Sequence, residues 1–537
     1  MHPSARGGDL TRRDFPFLGA ATDPPLLRAL DRIDEMRVFR WSLAISLALT
    51  VAAALATDSV FQVDEYFQVV GFASLKLGLT PARDLPWEHA ERIRPWLQPG
   101  SYAVLARGLG TVGVTDPFIL LRAWRLASGL AAWGALATLL VAVRAWLPSA
   151  RWRRFAYLSL ALPYFVPYLA ARLSSESAST TFLVLALAAL LPLAPVGDGK
   201  SGGEASRVRL LAAGAALGFA FAFRYQTGLA VAGLVLWVLV HRRDRWRALG
   251  SLAAGMAVPL ALGIVVDAWG YGTFEVVPWR YFDANLLQGR VAAYGRSPLP
   301  AYLWFMAGLF PPFGVALLLG LLLFWWRFPG HLLTWATLPF VVVHGLIGHK
   351  EIRFLFPILP AATLCVVLLL AAPPAPRGWE RFTTRAMGFL WLGRATWAVD
   401  TVAVLLLCLL PSSDNLELQR FFYRHAAEPA RWVALADPRD FHGGVVPFLL
   451  PQPMPPLEVV TDAAGLEATL AAGPGPVMVT ARHPLPPGAE AVLERYGARV
   501  FTSLPAWLAR VNLFHWLDRA DMTYAWRVRE SPLPDGS

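Results

Sequence analysis

Two short charged clusters hold the side chains best suited to moving a proton or gripping an anion. Asp64 and Glu65 stand in Phe61-Gln62-Val63-Asp64-Glu65-Tyr66-Phe67-Gln68, just past the first apolar run. Aromatic neighbours lower the local dielectric, and a carboxylate held there can act as a general base toward a hydroxyl. The blander alternative is an acid that caps a helix at a membrane exit. The second cluster, His349-Lys350-Glu351-Ile352-Arg353, lies between two apolar runs, 332–347 and 354–372, each long enough to enter a membrane. Lysine and arginine are costly at membrane depth. A lipid phosphate is their natural partner, because a guanidinium can grip two of its oxygens at once. Arg224 and Arg172, at turns on the same side, could join Lys350, Arg353 and His349 around such a phosphate. The competing reading is that cations anchor helix ends among the headgroups.

Two outer loops add aromatic and polar groups. One, over 58–118, supplies Trp87, Glu88, Arg92, Arg94 and Trp96. It is too aromatic for a disordered connector and long enough to suggest a functional loop. The other runs from Asp267 through Tyr271, Trp279, Arg280, Tyr281 and Asn285 to Tyr294. Sugars need this mixture, since their C–H faces stack on aromatic rings while their hydroxyls seek amides and carboxylates. For any single ring an interfacial belt is the alternative. The chain has no His-Glu-x-x-His, no Cys-x-x-Cys, no Gly-x-Ser-x-Gly and no P-loop, so hydrolysis by a metal or a serine finds no support, and neither metal nor cofactor is expected.

The elements that must position these groups are membrane helices. The 537 residues are 56% hydrophobic and 16% charged, and the mean hydropathy is +0.47, which sets aside the soluble-globule class. Apolar runs fall near 41–57, 119–143, 155–171, 177–195, 210–223, 228–240, 248–266, 301–325, 331–347, 354–372 and 386–410, about eleven spans. The net charge of +11 sits largely in alternate loops, at Arg144, Arg151, Arg153, Arg154, Lys200, Arg207, Arg209, Arg242, Arg243, Arg245, Arg247, Arg377, Arg381 and Arg385. Such loops face the cytoplasm, so the basic charge does not imply nucleic acid, and both clusters face outward. Cys365 and Cys408 fall inside apolar runs and suggest small buried side chains. No cleavable signal peptide is evident.

The predicted organisation has three parts. A cytoplasmic leader, 1–40, carries Leu26, Leu27, Leu30 and Ile33 at the spacing of an amphipathic surface helix. A helical membrane domain follows over 41–410, with a flexible cytoplasmic loop at 197–206. The tail, 411–537, reads as a small outer α/β domain, with strands near 432–435 and 476–480 and a helix near 489–496.

In their order along the chain these motifs resemble family 22 of the glycosyltransferases, membrane mannosyltransferases that build GPI anchors and lipid-linked oligosaccharides. The resemblance covers most of 40–370: the Asp64-Glu65 octapeptide, Trp87-Glu88 to Ile93-Arg94 with Pro99, and Arg224 before Gln226-Thr227. Tyr271-Gly272 to Asn285 with Tyr294-Gly295 follows, and then His349-Lys350-Glu351-Ile352-Arg353-Phe354-Leu355-Phe356-Pro357, the most specific part. The wording around Asp64 is nearest the branch that adds the third mannose of GPI anchors. Ile352 departs from the pattern, standing where members usually carry a second acid. Rich Ala, Arg, Gly and Pro content suggests a bacterial relative, and so a plasma membrane, or the endoplasmic reticulum were the source eukaryotic.

The resemblance implies a GT-C fold with an active site on the non-cytoplasmic face, a polyprenyl-phosphate mannose donor and a glycolipid acceptor. It further implies that Asp64, with Glu65, takes a proton from the acceptor hydroxyl, and that the sugar inverts. Lys350, Arg353, Arg224 and His349 would hold the departing phosphate. Trp87, Glu88, Arg94, Asp267, Tyr271, Asn285, Tyr294 and Glu351 would contact sugar or acceptor. Three other readings stay open at this stage. One is a GT-C transferase for another polyprenyl-linked sugar. Another is a lipid transporter using Arg394 and Asp400 inside a membrane run, though these are more simply paired with one another or with neighbours. The third is a structural membrane subunit with an outer binding domain.

Overall fold

The computed structural model describes residues 25–56, 62–194, 206–309, 311–372, 378–409, 414–425, 428, 431–435, 447–450, 457–472, 476–504 and 522–528. The leader before residue 25, Phe61 and the loop 197–205 lie outside these. Each expected apolar run is helical, because backbone in hydrocarbon must satisfy its own hydrogen bonds.

By length and composition, five helices can cross a membrane: Glu35–Leu55, Pro117–Trp146, Ser175–Leu193, Arg245–Tyr271 and Ile352–Ala371. Two bent pairs raise the count to seven among the described residues. Phe313–Arg327 turns by 119° into Leu332–Leu346, and Gly378–Leu392 by 46° into Arg394–Cys408. This is fewer than the eleven or so that hydropathy suggests. Proline accounts for part of the difference, since it lacks the N–H that a continuous helix needs. The run 155–171 breaks around Pro163, and 301–325 breaks at Pro311-Pro312 into Ala301–Leu309 and Phe313–Arg327.

The chain forms two compact units. The first comprises Met1–Ala54, Pro86–Tyr102 and Trp124–Cys408. One of its tight joints is between the helices Arg207–Phe223 and Arg245–Tyr271. A β-carbon at Gly214 would lie 2.2 Å from the Leu252 carbonyl oxygen, and one at Gly255 would lie 2.2 Å from that of Leu211. Gly214 and Gly218 on one helix face Gly255 and Pro259 on the other, the small-residue stripe that lets membrane helices approach backbone to backbone. Leu27 and Leu30 of the Pro25–Asp31 helix are buried against the protein, and Asp31 pairs with Arg151 at 3.2 Å. Asp400 accepts a 2.7 Å hydrogen bond from the Tyr164 amide, while Arg394 is exposed.

The second unit comprises Leu55–Leu85, Ala103–Ala123 and Leu409–Ser537. Its sheet has the order β2-β1-β3-β5-β4, from β1 (Arg431–Leu435), β2 (Leu457–Val460), β3 (Val477–Arg482), β4 (Gly497–Thr502) and β5 (Thr523–Val528). β1 runs parallel to β2 and β3, whereas β5 is antiparallel to β3 and β4. Alternate side chains serve opposite faces. Val433, Leu435 and Val479 pack with Leu466 and Leu493 of two helices, while Trp432 and Met478 pack with Phe421 and Phe422 of a third.

Candidate active site

A buried chain of ions occupies one end of the first unit. Glu176 is the second residue of the Ser175–Leu190 helix, whose Ser174 hydroxyl caps it by accepting from the Ser177 amide at 3.2 Å. The positive end of a helix favours a carboxylate there. Arg224, where the Arg207–Phe223 helix stops, places Nη1 3.0 Å from Glu176 Oε1. Arg353 Nε comes within 3.7 Å of the same oxygen. Two guanidiniums from distant stretches of sequence therefore converge on one carboxylate that is 2% exposed.

The expected Lys350 cluster supplies the next links. Arg353 forks onto Glu351, with Nε 2.7 Å from Oε2 and Nη2 donating to Oε1 at 2.8 Å. His349 Nε2 lies 3.0 Å from the same Oε1. Burial alone pushes the Glu351 carboxyl up, but the Arg353 fork and His349 overcome it and hold the group below the ordinary carboxylate range. Lys350 is buried and donates to the backbone carbonyls of Ile347 (2.6 Å) and Ser297 (3.2 Å). The Phe354 ring lies 5.4 Å from the Arg224 guanidinium and 5.5 Å from that of Arg353, which suits cation–π contact with both.

The aromatic loops reach this chain of ions. Tyr294 packs against the His349 ring at 5.8 Å and accepts a hydrogen bond from the Trp87 indole. Trp87 in turn lies under Arg290, which pairs with Glu91 at 2.7 Å. Arg94 pairs with the buried Glu88 at 3.4 Å and lies over the Tyr281 ring. Glu275, outside the helices, is held below the ordinary carboxylate range by Arg280 and then Arg92, although burial opposes them.

Other expected residues are committed elsewhere. Asp267 accepts from the Trp96 amide at 2.7 Å and from the Tyr225 hydroxyl at 3.2 Å. Tyr271 OH accepts from the Arg94 amide at 3.1 Å and donates to the Arg94 carbonyl at 2.8 Å. Gly270 leaves room for Trp96, whose indole a β-carbon there would meet at 2.1 Å. These contacts fix the backbone of 94–96 and so aim Arg94. Asn285 donates to the Tyr281 carbonyl at 2.9 Å. Arg172 packs over Tyr168 at 4.5 Å and, with Arg125, reaches the Ala53 carbonyl.

Asp64 and Glu65 belong to the second unit. Asp64 is half-buried at the start of the π-helical turn Glu65–Val70 and makes no side-chain capping hydrogen bond. Glu65 is buried.

Sequence reasoning missed Glu176 as a site residue. Its signal was an acid at the outer edge of an apolar run, which reads equally well as an ordinary first-turn acid. It also missed the apolar cavity of about 90 Å³ beside it, lined by Ser177, Thr180, Thr181, Phe356, Leu359 and Thr363 among others.

A joint made of helix ends, buried ions and an adjoining apolar cavity suits a charged head group on a hydrocarbon chain. Comparison with known proteins runs the same way. GPI mannosyltransferase 3 of Yarrowia lipolytica is 27% identical over 361 residues, 65% of this chain and 66% of its own. GPI alpha-1,2-mannosyltransferase 3 of Bos taurus is 24% identical over 373 residues, 66% of this chain and 62% of its own. The chain thus spans just under two thirds of the length of these curated relatives. The crystal structure of ArnT from Cupriavidus metallidurans bound to undecaprenyl phosphate matches 90% of this chain and 97% of its own at a TM-score of 0.51 and 15% identity, a likeness that shows a shared GT-C-type fold. The Alg9-like mannosyltransferase profile matches residues 41–430, and with nearly three quarters of the sequence inside that match the chain belongs to this family.

Proposed function

We propose that the protein transfers mannose, with inversion, from a polyprenyl-phosphate donor to a hydroxyl of a glycolipid acceptor on the non-cytoplasmic face. The observation that carries this reading is the convergence of Arg224 and Arg353 on Glu176 beside Lys350. Arg94, Arg224, Lys350 and Arg353 outnumber Glu88, Glu176 and Glu351 by one charge, leaving a cationic site before His349 is counted. A phosphodiester carries one negative charge and would balance it. The names of the relatives support mannose and a GPI-type acceptor, and ArnT, which shares the fold, was crystallised with a polyprenyl phosphate.

In this reading the acceptor oxygen attacks the anomeric carbon from the face opposite the phosphate. The new C–O bond forms as the bond to the phosphate oxygen breaks. The hydroxyl proton passes to Asp64, with Glu65 as its neighbour, and the electron pair leaves on the phosphate. Arg353, Arg224, Lys350 and His349 meet that charge, an effect of about 3–4 kcal/mol for each well-aimed donor. Trp87, Glu88, Arg94, Asn285, Tyr294 and Glu351 surround sugar and acceptor, while Asp267 and Tyr271 act as braces. The donor tail follows the cavity between Thr180 and Thr363.

The helix ends support the membrane face. The Arg207–Phe223 and Arg245–Tyr271 helices begin among basic residues, and their other ends carry Arg224 and Asp267. The basic ends belong inside, so the ion cluster belongs outside.

The test supplies purified protein with labelled polyprenyl-phosphate mannose and a total lipid extract. The expected product is a labelled glycolipid that survives the mild acid that cleaves the donor's glycosyl phosphate. Transfer only from another polyprenyl-phosphate sugar would replace mannose, and no transfer from any would end the reading.

A further inference from the structure

The segment after Arg353 separates two apolar cavities. Phe356, Pro360 and Thr363 face the one already described. Leu355, Ile358 and Ala362 face a second, of about 140 Å³, lined on its other sides by residues 299–306 and by the helices Phe313–Arg327 and Leu332–Leu346. Leu359 lines both. A Leu/Ile/Phe-lined cavity of about 150 Å³ stays dry and takes up hydrocarbon, and the second cavity is comparable in size. The Trp325 indole in its wall donates to the Thr337 hydroxyl at 2.9 Å, and the phenol of Tyr302 is a second polar group there. Tyr302 is 6% exposed, and its hydroxyl has no hydrogen-bond partner among the described residues. That hydroxyl lies within electrostatic reach of Arg224 and Glu351. A buried hydroxyl left without a partner costs about 1–3 kcal/mol, a penalty that a bound head group can relieve.

Resting on the proposed transferase reading, we infer that the second cavity holds a hydrocarbon chain of the acceptor lipid, with Tyr302 donating to its polar head. The two lipid substrates then lie on either side of the 355–363 segment, and their heads meet at the Arg224–Glu176–Arg353 cluster. Separate tail sites explain how one buried, net cationic cluster can sort donor from acceptor when both are amphiphiles.

Two measurements test this. The unaltered full chain, in vesicles, is irradiated with either a polyprenyl phosphate or a diacyl phospholipid, each carrying a diazirine on its hydrocarbon chain. The diacyl probe is expected to label Leu303, Met306 or Trp325, and the polyprenyl probe Thr180 or Thr363. Labelling of Met306 or Trp325 by the polyprenyl probe, or none there by the diacyl probe, overturns the assignment. The second measurement uses Gly345→Phe. Gly345 lines the cavity, and a β-carbon there meets no described heavy atom within 4 Å. Each methylene excluded from such a site changes affinity by a factor of about four, so loss of room for two or three raises the KM for lipid acceptor by about 15- to 60-fold, with the donor KM unmoved. A rise in donor KM instead overturns the assignment. Failure of the unaltered chain to transfer mannose counts against the transferase reading and leaves the labelling result intact.

Discussion

Glu176 and Arg224 form an ion pair of 3.0 Å in which the side chains are 3% and 6% exposed, and Arg353 stands on the other side of the same carboxylate oxygen. Such a pair is expensive to break from one side, because the surviving charge stays buried. Glu176→Gln keeps the shape but removes the carboxylate that Arg224 and Arg353 share, while Arg353 keeps Glu351. It is expected to lower stability by about 3–5 kcal/mol. A phosphate-bearing ligand restores the missing negative charge, so polyprenyl phosphate is expected to raise the Tm of the variant by more than it raises that of the unaltered protein. Equal shifts in both would show that the carboxylate and the ligand do not share the arginines.

Arg353 holds Glu351 at two points, a hydrogen bond from Nη2 to Oε1 and an ion-pair contact from Nε to Oε2, a geometry lysine cannot copy. Arg353→Lys preserves the charge and loses the fork. If the same fork grips the leaving phosphate, both Arg353→Lys and Arg353→Ala lower kcat by about 10²–10³, the cost of removing one aimed donor. Full activity in Arg353→Lys would reduce the residue to a point charge.

Asp64→Asn removes the proposed base without changing its size. The expected loss is about 10²–10⁴ in kcat, with donor binding retained, and Glu65→Gln is expected to cost less. Donor affinity and single-turnover rate separate the two effects. An Asp64→Asn enzyme that turns over at the normal rate would move the base elsewhere, with Glu88 the next carboxylate to test.

Much of this was legible in the sequence, for reasons that differ by element. Helical membrane architecture followed from hydropathy, because lipid permits little else, and β1, β3 and the Ala489–Tyr496 helix stood out between turn signals. β2, β4 and β5 were not singled out, since the pairing of each depends on a strand outside its own segment and no local pattern records it. The Lys350–Arg353 cluster was visible as ions between apolar runs. Glu176 was hidden because its meaning depends on Arg224 and Arg353 arriving beside it. Asp267 and Tyr271 read as sugar ligands, but a sequence does not tell whether a polar group faces a cavity or a neighbouring backbone. Here both touch the backbone of 94–96, and Asp267 also accepts from the Tyr225 hydroxyl.

That distinction can be measured. If Asp267 braces the Trp96 amide and the Tyr225 hydroxyl, its oxygens matter and its charge does not. Asp267→Asn keeps an acceptor for one of them and is expected to retain activity within a few-fold. Asp267→Ala leaves a buried amide unpaired and costs about 1–3 kcal/mol of stability. A sugar ligand would behave the other way, with Asp267→Asn raising the acceptor KM while the Tm stays put.

Glu351 gives a pH signature. Its carboxyl is held below the ordinary value of 4.5 by the Arg353 fork and His349 acting against burial. A depressed native pKa means that the unfolded chain binds the proton more readily, so stability falls as protons are added. The contribution is fully present above pH 4.5 and is lost as pH drops through the lowered native value. Glu351→Gln cannot titrate at this position. Its Tm deficit relative to the unaltered protein is therefore expected to be constant from pH 7 to about 5 and to shrink toward pH 3. A deficit that persists unchanged in acid would place the effect of the substitution in packing. The same titration bears on phosphate binding, because protonating Glu351 frees the Arg353 fork. Polyprenyl phosphate is then expected to bind the unaltered protein more tightly as pH falls through that window, and Glu351→Gln to bind it tightly throughout.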